Sequence, residues 1–197
     1  MAQRDSPPKY AAKVVMSPRA MSHIFDGGID KVAATALTEV ERGNRFVRSH
    51  QHLYKWSRFT DPEQHRLRRH HAAERFATHT RQDPSRYVPG RLPRLPFPDN
   101  DFDLVLSSHL LFSYAQDLDY DFHLSALIEL MRVAHGELRV FPLVPIGEAS
   151  RYPRLDNLLA DLRTHAIDGR IVDVDYEFQV GGTEMLICRP ITDQSAC

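Results

Sequence analysis

Three polar side chains directly follow an apolar run in the middle of this 197-residue chain. Residues 102–106 have the sequence FDLVL, and Ser107, Ser108 and His109 come next. The run predicts a buried strand, and in an open α/β sheet ligands bind at the carboxyl ends of the strands. The hydroxyls could hydrogen-bond a ligand there, and an imidazole, which titrates near neutrality, could act as a general base. The alternative for His109 is a ring that caps the next helix or packs beneath it.

A second group of candidate residues is the basic segment HRLRRHH at residues 65–71. On a helix the adjacent His70 and His71 point about 100° apart, so they cannot share a metal ion as a pair four residues apart does. The sequence therefore predicts no metal site. This face could meet an anionic substrate or RNA, but Glu63 and Glu74 dilute its charge, and so short a patch favours an ordinary solvated helix face.

The composition predicts one globular domain of no marked charge. Hydrophobic residues make up 42% of the chain, and 25 basic and 26 acidic residues give a net charge of −1, which draws it to neither nucleic acid nor an anionic membrane. No apolar run approaches the roughly 20 residues of a membrane helix, and the first residues do not resemble a secretory signal. The only two cysteines, Cys188 and Cys197, are too few for a disulfide framework. We expect a cytoplasmic protein that does not enter a membrane.

The first 83 residues are expected to form a strand and a helical cap. Residues 10–16 predict a short strand, and apolar residues spaced from Ile29 to Val40 predict a helix that ends at Gly43. Thr60-Asp61-Pro62 predicts the start of a second helix, running to about Thr80.

The segment between these two helices is aromatic and basic, and it is expected to pack over another part of the protein. Its rings Tyr54, Trp56 and Phe59 either line a substrate pocket or form a small cluster that holds the segment to the sheet.

Residues 84–190 predict an α/β core, because strand patterns alternate with helix patterns, and residues 191–197 form a tail. The predicted elements are strands at 86–88, 102–107 and 137–143, a helix over 122–133 closed by His135-Gly136, a helix opened by Pro153, and a final antiparallel hairpin of 171–179 with 184–190.

The sequence LPFPDNDFDLVLSSHLLF, residues 95–112, resembles the strand 3 loop and strand 4 of class I S-adenosylmethionine-dependent methyltransferases. Their usual form is a leucine-proline-phenylalanine turn followed by a phenylalanine-aspartate strand. GELRVFPLV, IVDVDYEFQ and EMLICRP agree in order with strands 5, 6 and 7 of that family. Residues 119–124 and 176–178 also resemble an uncharacterised branch of the family found in bacteria and archaea. The resemblance covers residues 86–190 well and the first third weakly.

The resemblance implies a Rossmann-like sheet that binds S-adenosylmethionine and passes its methyl group to an unidentified acceptor. It places Ser107 and Ser108 against the cofactor, with His109 as the candidate catalytic side chain. Arg91 and Leu92 would lie beside the adenine, and Ser17, at the end of strand 2, near the ribose.

The chain departs from the family at two positions that would contact the cofactor. In the family a glycine-rich turn after the first strand holds the methionine part of the cofactor, and this sequence has no such turn. Ser17 stands where the family usually has an acidic residue that binds the ribose hydroxyls. These departures keep open a second interpretation, a truncated or degenerate methyltransferase fold that acts as a binding or oligomerisation module.

The apparent loss of strand 1 also has a structural consequence. The family's strand order is 3-2-1-4-5-7-6, so strand 4 would lose a neighbour and expose the edge formed by residues 104–106. We expect that strand 2 or a second copy of the chain covers this edge, or that the chain is a shortened version of a longer protein.

Overall fold

The structure is a computed structural model that describes residues 28–88 and 90–192. The predicted strand at residues 10–16 and the candidate ribose contact Ser17 lie outside the described residues.

Two long helices, α1 (Gly28–Ser49) and α2 (Pro62–Gln82), pack against each other. The start predicted for α2 is confirmed, because the Asp61 side chain accepts a hydrogen bond from the Gln64 N–H at 2.8 Å and Pro62 occupies the first turn. The helix ends two residues beyond the predicted Thr80.

The prediction that Gly43 ends α1 is wrong, since the helix continues to Ser49. The guanidinium of Arg69 lies over this glycine, and a Cβ placed on Gly43 would be 2.8 Å from Arg69 Nη1. The glycine therefore permits a close approach between the two helices.

The described sheet has four strands in the order β1-β2-β4-β3. They are β1 (Phe102–Ser108), β2 (Ala134–Phe141), β3 (Ile167–Asp173) and β4 (Glu184–Pro190). β1 and β2 are parallel, whereas β4 runs antiparallel to both β2 and β3. The mixed α/β fold with a C-terminal antiparallel pair is as predicted, and the strand order agrees with the 4-5-7-6 part of the order that the resemblance implies.

Two helices, α3 (Tyr120–Val133) and α4 (Leu155–Thr164), accompany the sheet. The core lies between them and the sheet face formed by the alternate residues Val105, Leu138 and Leu186. Alternation of buried and exposed residues along β1 and β2 shows that the opposite face is more open.

His135 and Gly136 do not cap α3 as predicted, because the helix ends at Val133 and both residues belong to β2. The chain enters the strand directly at Ala134, whose backbone is extended. A Cβ on Gly136 would lie 2.6 Å from the carbonyl oxygen of Asp103, so this glycine lets β1 and β2 approach where their register shifts.

Three other predicted strand positions differ from the structure. The strand predicted at residues 86–88 is absent: Pro84–Arg86 form a 3-10 turn, in which both Ser85 and Arg86 donate hydrogen bonds to the Asp83 carboxylate. β2 begins at Ala134, three residues before the prediction. β3 spans Ile167–Asp173, so residues 174–179 lie in the connection to β4 and not in a strand.

The outer edge of β1 has no strand partner within the described residues. On the open face of this edge strand, the Leu106 side chain is 61% exposed. Coverage of the edge by strand 2 or by a second copy stays a prediction.

No helix in the described ranges is long and apolar enough to cross a membrane. Residues 28–88 and 90–192 also contain no group of three or more His, Cys, Asp or Glu side chains that could hold a metal ion.

The loop that leads into β1 is fixed to the last turn of α3. Glu129 accepts a hydrogen bond from the Leu95 N–H at 2.6 Å and pairs with Arg132, which also donates to the Phe97 carbonyl at 2.9 Å and to Asp99 at 2.6 Å. These contacts hold residues 95–99 at the amino end of β1.

Acid should remove the contribution of Glu129 to stability. The hydrogen bonds from Arg132, against the opposing effect of burial, hold the pKa of Glu129 below its ordinary value of 4.5. A lowered folded-state pKa stabilises the fold above the ordinary pKa, and this contribution is lost as the pH falls through the folded-state value. We expect the difference in unfolding free energy between the wild type and Glu129→Gln to be largest at neutral pH and to shrink below about pH 4.5.

Thermal or urea unfolding of both proteins across the acid range measures this difference, and the comparison cancels the other carboxylates. Glu74→Gln, at an exposed position on α2, is the matched control, with a small difference from wild type at every pH. A Glu129→Gln difference that stayed constant or grew in acid would contradict the assignment.

Candidate functional site

The carboxyl ends of β1, β2 and β3 lie at one end of the sheet, because all three strands run in the same direction. The segments that follow β2 and β3, residues 142–150 and 174–183, lie at this end too. Open α/β sheets bind ligands at such an end.

Ser107, Ser108 and His109 occupy the end of β1 as predicted. Ser107 is buried beside its β2 partner Val140, and its Oγ has no hydrogen-bond partner among the described residues. Ser108 is exposed, and its Oγ lies 2.8 Å from His109 Nδ1. The φ angle of 54° at His109 turns the chain sharply after the strand.

Three rings in successive contact, those of His109, Phe141 and Tyr176, lie at this end of the sheet. The His109 backbone N–H donates to the Phe141 carbonyl at 2.8 Å, and the two rings meet edge to face at 5.9 Å. Phe141 contacts Tyr176 at 5.9 Å, and the Arg58 guanidinium lies 5.1 Å from the centre of the Tyr176 ring. Burial raises the pKa of Tyr176, while Arg58 acts in the opposite direction.

Sequence reasoning did not identify Phe141, Tyr176 or Arg58 as site residues. Phe141 lies in the strand predicted at 137–143, near its carboxyl end, and this position was the only signal that could have indicated it. Tyr176 and Arg58 reach the site from segments far apart in the sequence, and no local pattern brings them together.

The β3–β4 connection, residues 174–183, joins the helical pair to this end of the sheet. The Lys55 N–H donates to the Phe178 carbonyl at 2.7 Å, and the Val180 N–H donates to the Leu53 carbonyl at 2.9 Å. The buried Gln179 amide donates to the carbonyls of Pro145 and Glu148 at 2.6 and 2.9 Å. The connection is therefore fixed on two sides.

Phe178 is the centre of an aromatic cluster. Tyr54, Trp56, Phe59 and His65 surround it, with ring centres between 4.6 and 5.6 Å from that of Phe178. Burial, with a smaller effect of Arg69, lowers the pKa of His65 to about 4. The three rings predicted either to line a pocket or to hold the segment in place therefore do hold residues 54–59 to the β3–β4 connection.

Arg91 and Leu92, the candidate adenine contacts, lie in the loop before β1. Leu92 is buried in the core, and Arg91 pairs through its backbone with Arg94 in a short turn. The structure therefore brings together the β1 part of the predicted site, and Ser17 lies outside the described residues.

Comparison with known proteins shows which family part of this chain resembles. Residues 60–137 match the family model described as a methyltransferase domain. An uncharacterised protein of Methanocaldococcus jannaschii is 31% identical over 137 residues, which are 69% of this chain and 58% of that protein. The chain thus spans less than two thirds of the length of this curated relative.

Among solved structures, the crystal structure of a SAM dependent methyltransferase from Aquifex aeolicus is similar, with 17% identity and a TM-score of 0.37. The likeness covers 61% of this chain and 64% of that one.

The segment that matches the family model contains all of β1 and α3, the Ser107–His109 end of the strand and the turn that leads into it. These are the residues on which the sequence resemblance depends, and in this segment the chain is similar to the family described as a methyltransferase domain.

Proposed function

We propose that this protein transfers a methyl group from S-adenosylmethionine to an acceptor at the carboxyl ends of β1 and β2. The observation that carries the proposal is the Ser107–His109 corner, which lies within the family match and at the end of the sheet where open α/β folds bind ligands. S-adenosylmethionine, when bound, supplies the electrophilic methyl group.

The described residues fit one wall of such a cofactor site. The Ser107 hydroxyl is buried and has no hydrogen-bond partner in the part of the chain that the structure describes, which is costly for a polar atom unless a ligand or water completes it. Ser108, next to it, presents an exposed hydroxyl. Ser17, Arg91 and Leu92 stay proposed contacts of the opposite wall. Because the Leu92 side chain is buried in the core, its contact would come from the backbone.

His109 is the candidate catalytic residue. When its Nδ1 proton is donated to Ser108 Oγ, Nε2 is the basic nitrogen and can accept a proton from the methyl acceptor. The edge contact with Phe141 fixes the plane of the ring. Methyl transfer depends mainly on the alignment of donor and acceptor, so this orientation matters even for an acceptor that needs no base.

The edge of β1, which has no strand partner within residues 28–88 and 90–192, favours a second candidate function, a degenerate methyltransferase fold that binds another molecule without catalysis. The exposed Leu106 side chain on that strand suits contact with a second copy of the chain. Binding of S-adenosylmethionine separates the two functions, since a purely oligomeric module has no need of the cofactor.

A pair of substitutions on β1 tests where the cofactor binds. Ser108→Tyr fills the carboxyl end of the strand, whereas Leu106→Tyr adds a ring on the same face two residues earlier. We expect Ser108→Tyr to weaken S-adenosylmethionine binding by about tenfold or more, because each 1.4 kcal/mol of lost contact or added clash is a factor of ten. Leu106→Tyr should bind as the wild type does.

Isothermal titration calorimetry on the two variants and the wild type measures the affinities. Equal loss in both variants would indicate a general effect on the sheet, and no loss in either would place the cofactor away from the end of β1.

A further inference from the structure

Arg69 is a half-buried cation without an ion-pair partner among the described residues. Its only hydrogen bond to another described residue runs from Nη1 to Asn44 Oδ1 at 3.3 Å. The nearby Arg66 differs, because it pairs with Glu63 at 2.7 Å and with Glu41 at 3.3 Å. Glu41 acts electrostatically on Arg69 as well, but lies beyond ion-pair distance.

Two buried polar atoms near Arg69 also lack partners within the described ranges. Asn44 is 7% exposed and its Nδ2 is unsatisfied, and His65, one turn before Arg69 on α2, is 6% exposed with an unsatisfied Nδ1. Unsatisfied atoms of this kind are rare in folded proteins, and two of them near one cation indicate a missing ligand.

The geometry around Arg69 favours an anion as that ligand. A guanidinium removed from water is costly unless it is paired, and burial lowers the pKa of Arg69 accordingly. Its planar fork of N–H donors matches the two oxygens of a carboxylate or phosphate group, and the Asn44 amide supplies a further donor. The guanidinium can lie against α1 because residue 43 is glycine: a Cβ at Gly43 would be only 2.8 Å from Arg69 Nη1.

A cavity of about 360 Å³ lies beside Asn44, between the two helices. Arg69 does not line it, and the lining residues other than Asn44 carry a net positive charge: Glu41, Arg45, Arg48, Pro62, Glu63 and Arg66. The field in this cavity favours an anion.

We propose that Arg69 and Asn44 bind a carboxylate or phosphate oxyanion, and that this group belongs to the methyl acceptor. Two sets of contacts connect Arg69 to the candidate site. Tyr114, which acts electrostatically on Arg69, lies in the short turn that follows His109. Phe178 stacks against His65, one turn before Arg69, and lies in the same connection as Tyr176. The anion site stands on its own contacts. Its assignment to the acceptor depends on the proposed methyl transfer.

Calorimetric titration of the 197-residue chain with inorganic phosphate and, separately, with acetate at constant ionic strength tests the site and distinguishes the two oxyanions. We expect saturable binding of at least one of them to the wild type, weakened about tenfold or more in Arg69→Gln, which loses a charge-assisted pair of hydrogen bonds. Arg75→Gln removes the same charge from an exposed position on the same helix and should bind as the wild type does.

Gly43→Ala is a second variant that keeps every charge. Alanine favours a helix interior over glycine, so the fold is expected to persist while the new methyl group displaces the Arg69 guanidinium. Weaker anion binding in this variant supports the geometry. The proposal is overturned if neither anion saturates the wild type, or if Arg75→Gln loses as much affinity as Arg69→Gln.

A parallel titration of the wild type with S-adenosylmethionine separates the two proposals. Binding of both ligands supports the acceptor assignment. Anion binding that depends on Arg69, in a chain that does not bind the cofactor, supports the anion site and overturns its role in methyl transfer.

Discussion

Replacing Arg132 by methionine should lower the free energy of unfolding by about 2–3 kcal/mol, the range expected when hydrogen bonds to charged groups are lost. The substitution keeps the length of the side chain and removes contacts to Glu129, Asp99 and the Phe97 carbonyl. Glu129, of which only 13% is exposed, keeps its hydrogen bond from Leu95 and loses its cation. The loop into β1 would then loosen, because it depends on these contacts for its position.

Urea unfolding of Arg132→Met and of the control Arg163→Met measures the effect. Arg163 is also in the last turn of its helix, but its side chain is 67% exposed and 3.8 Å from Asp168, so a change of at most about 0.5 kcal/mol is expected. Equal changes in the two variants would show that the Arg132 contacts do not fix the loop.

Gly181→Ala should destabilise the fold and disturb the β3–β4 connection. Gly181 has a φ of 78°, and a Cβ there would lie 2.1 Å from the Ala149 carbonyl oxygen. The left-handed conformation costs about 1–2 kcal/mol for a residue with a Cβ, and overpacking adds about 1–3 kcal/mol. Gly147→Ala is the matched control, because its φ is 87° but its nearest neighbour to a Cβ is 3.8 Å away.

Trp56, the only tryptophan of the chain, reports on this change through its edge contact with Phe178. We expect its fluorescence emission to shift to the red in Gly181→Ala and to stay unchanged in Gly147→Ala. Thermal unfolding supplies the stabilities. A Gly181→Ala variant as stable as Gly147→Ala, with unchanged emission, would contradict the packing described for residues 174–183.

β1 and the C-terminal antiparallel pair were predictable from sequence because their apolar runs are short and bounded by turn residues. β1 was placed to within one residue, and the C-terminal antiparallel pair was recognised. Gly43 and Gly136 were misread because each allows a contact with a distant segment, Arg69 in one case and Asp103 in the other. A local pattern cannot distinguish a glycine that ends a helix from one that admits a neighbour.

The candidate site was predictable only where it is continuous in sequence. Ser107, Ser108 and His109 follow a recognisable strand, so their place at the end of the sheet could be inferred. Arg69 appeared in the sequence as one charge in a basic helix face, and its burial against Asn44 depends on how α1 and α2 pack. Such packing depends on tertiary contacts that periodicity alone does not specify.

Titration of the 197-residue chain with S-adenosylmethionine tests the central claim most directly. The proposed methyltransferase predicts saturable binding at one site and a stabilisation of about 2.7 kcal/mol at a cofactor concentration 100 times the dissociation constant. The absence of both a binding heat and a shift in the unfolding temperature at millimolar cofactor would contradict the proposal and favour the non-catalytic module.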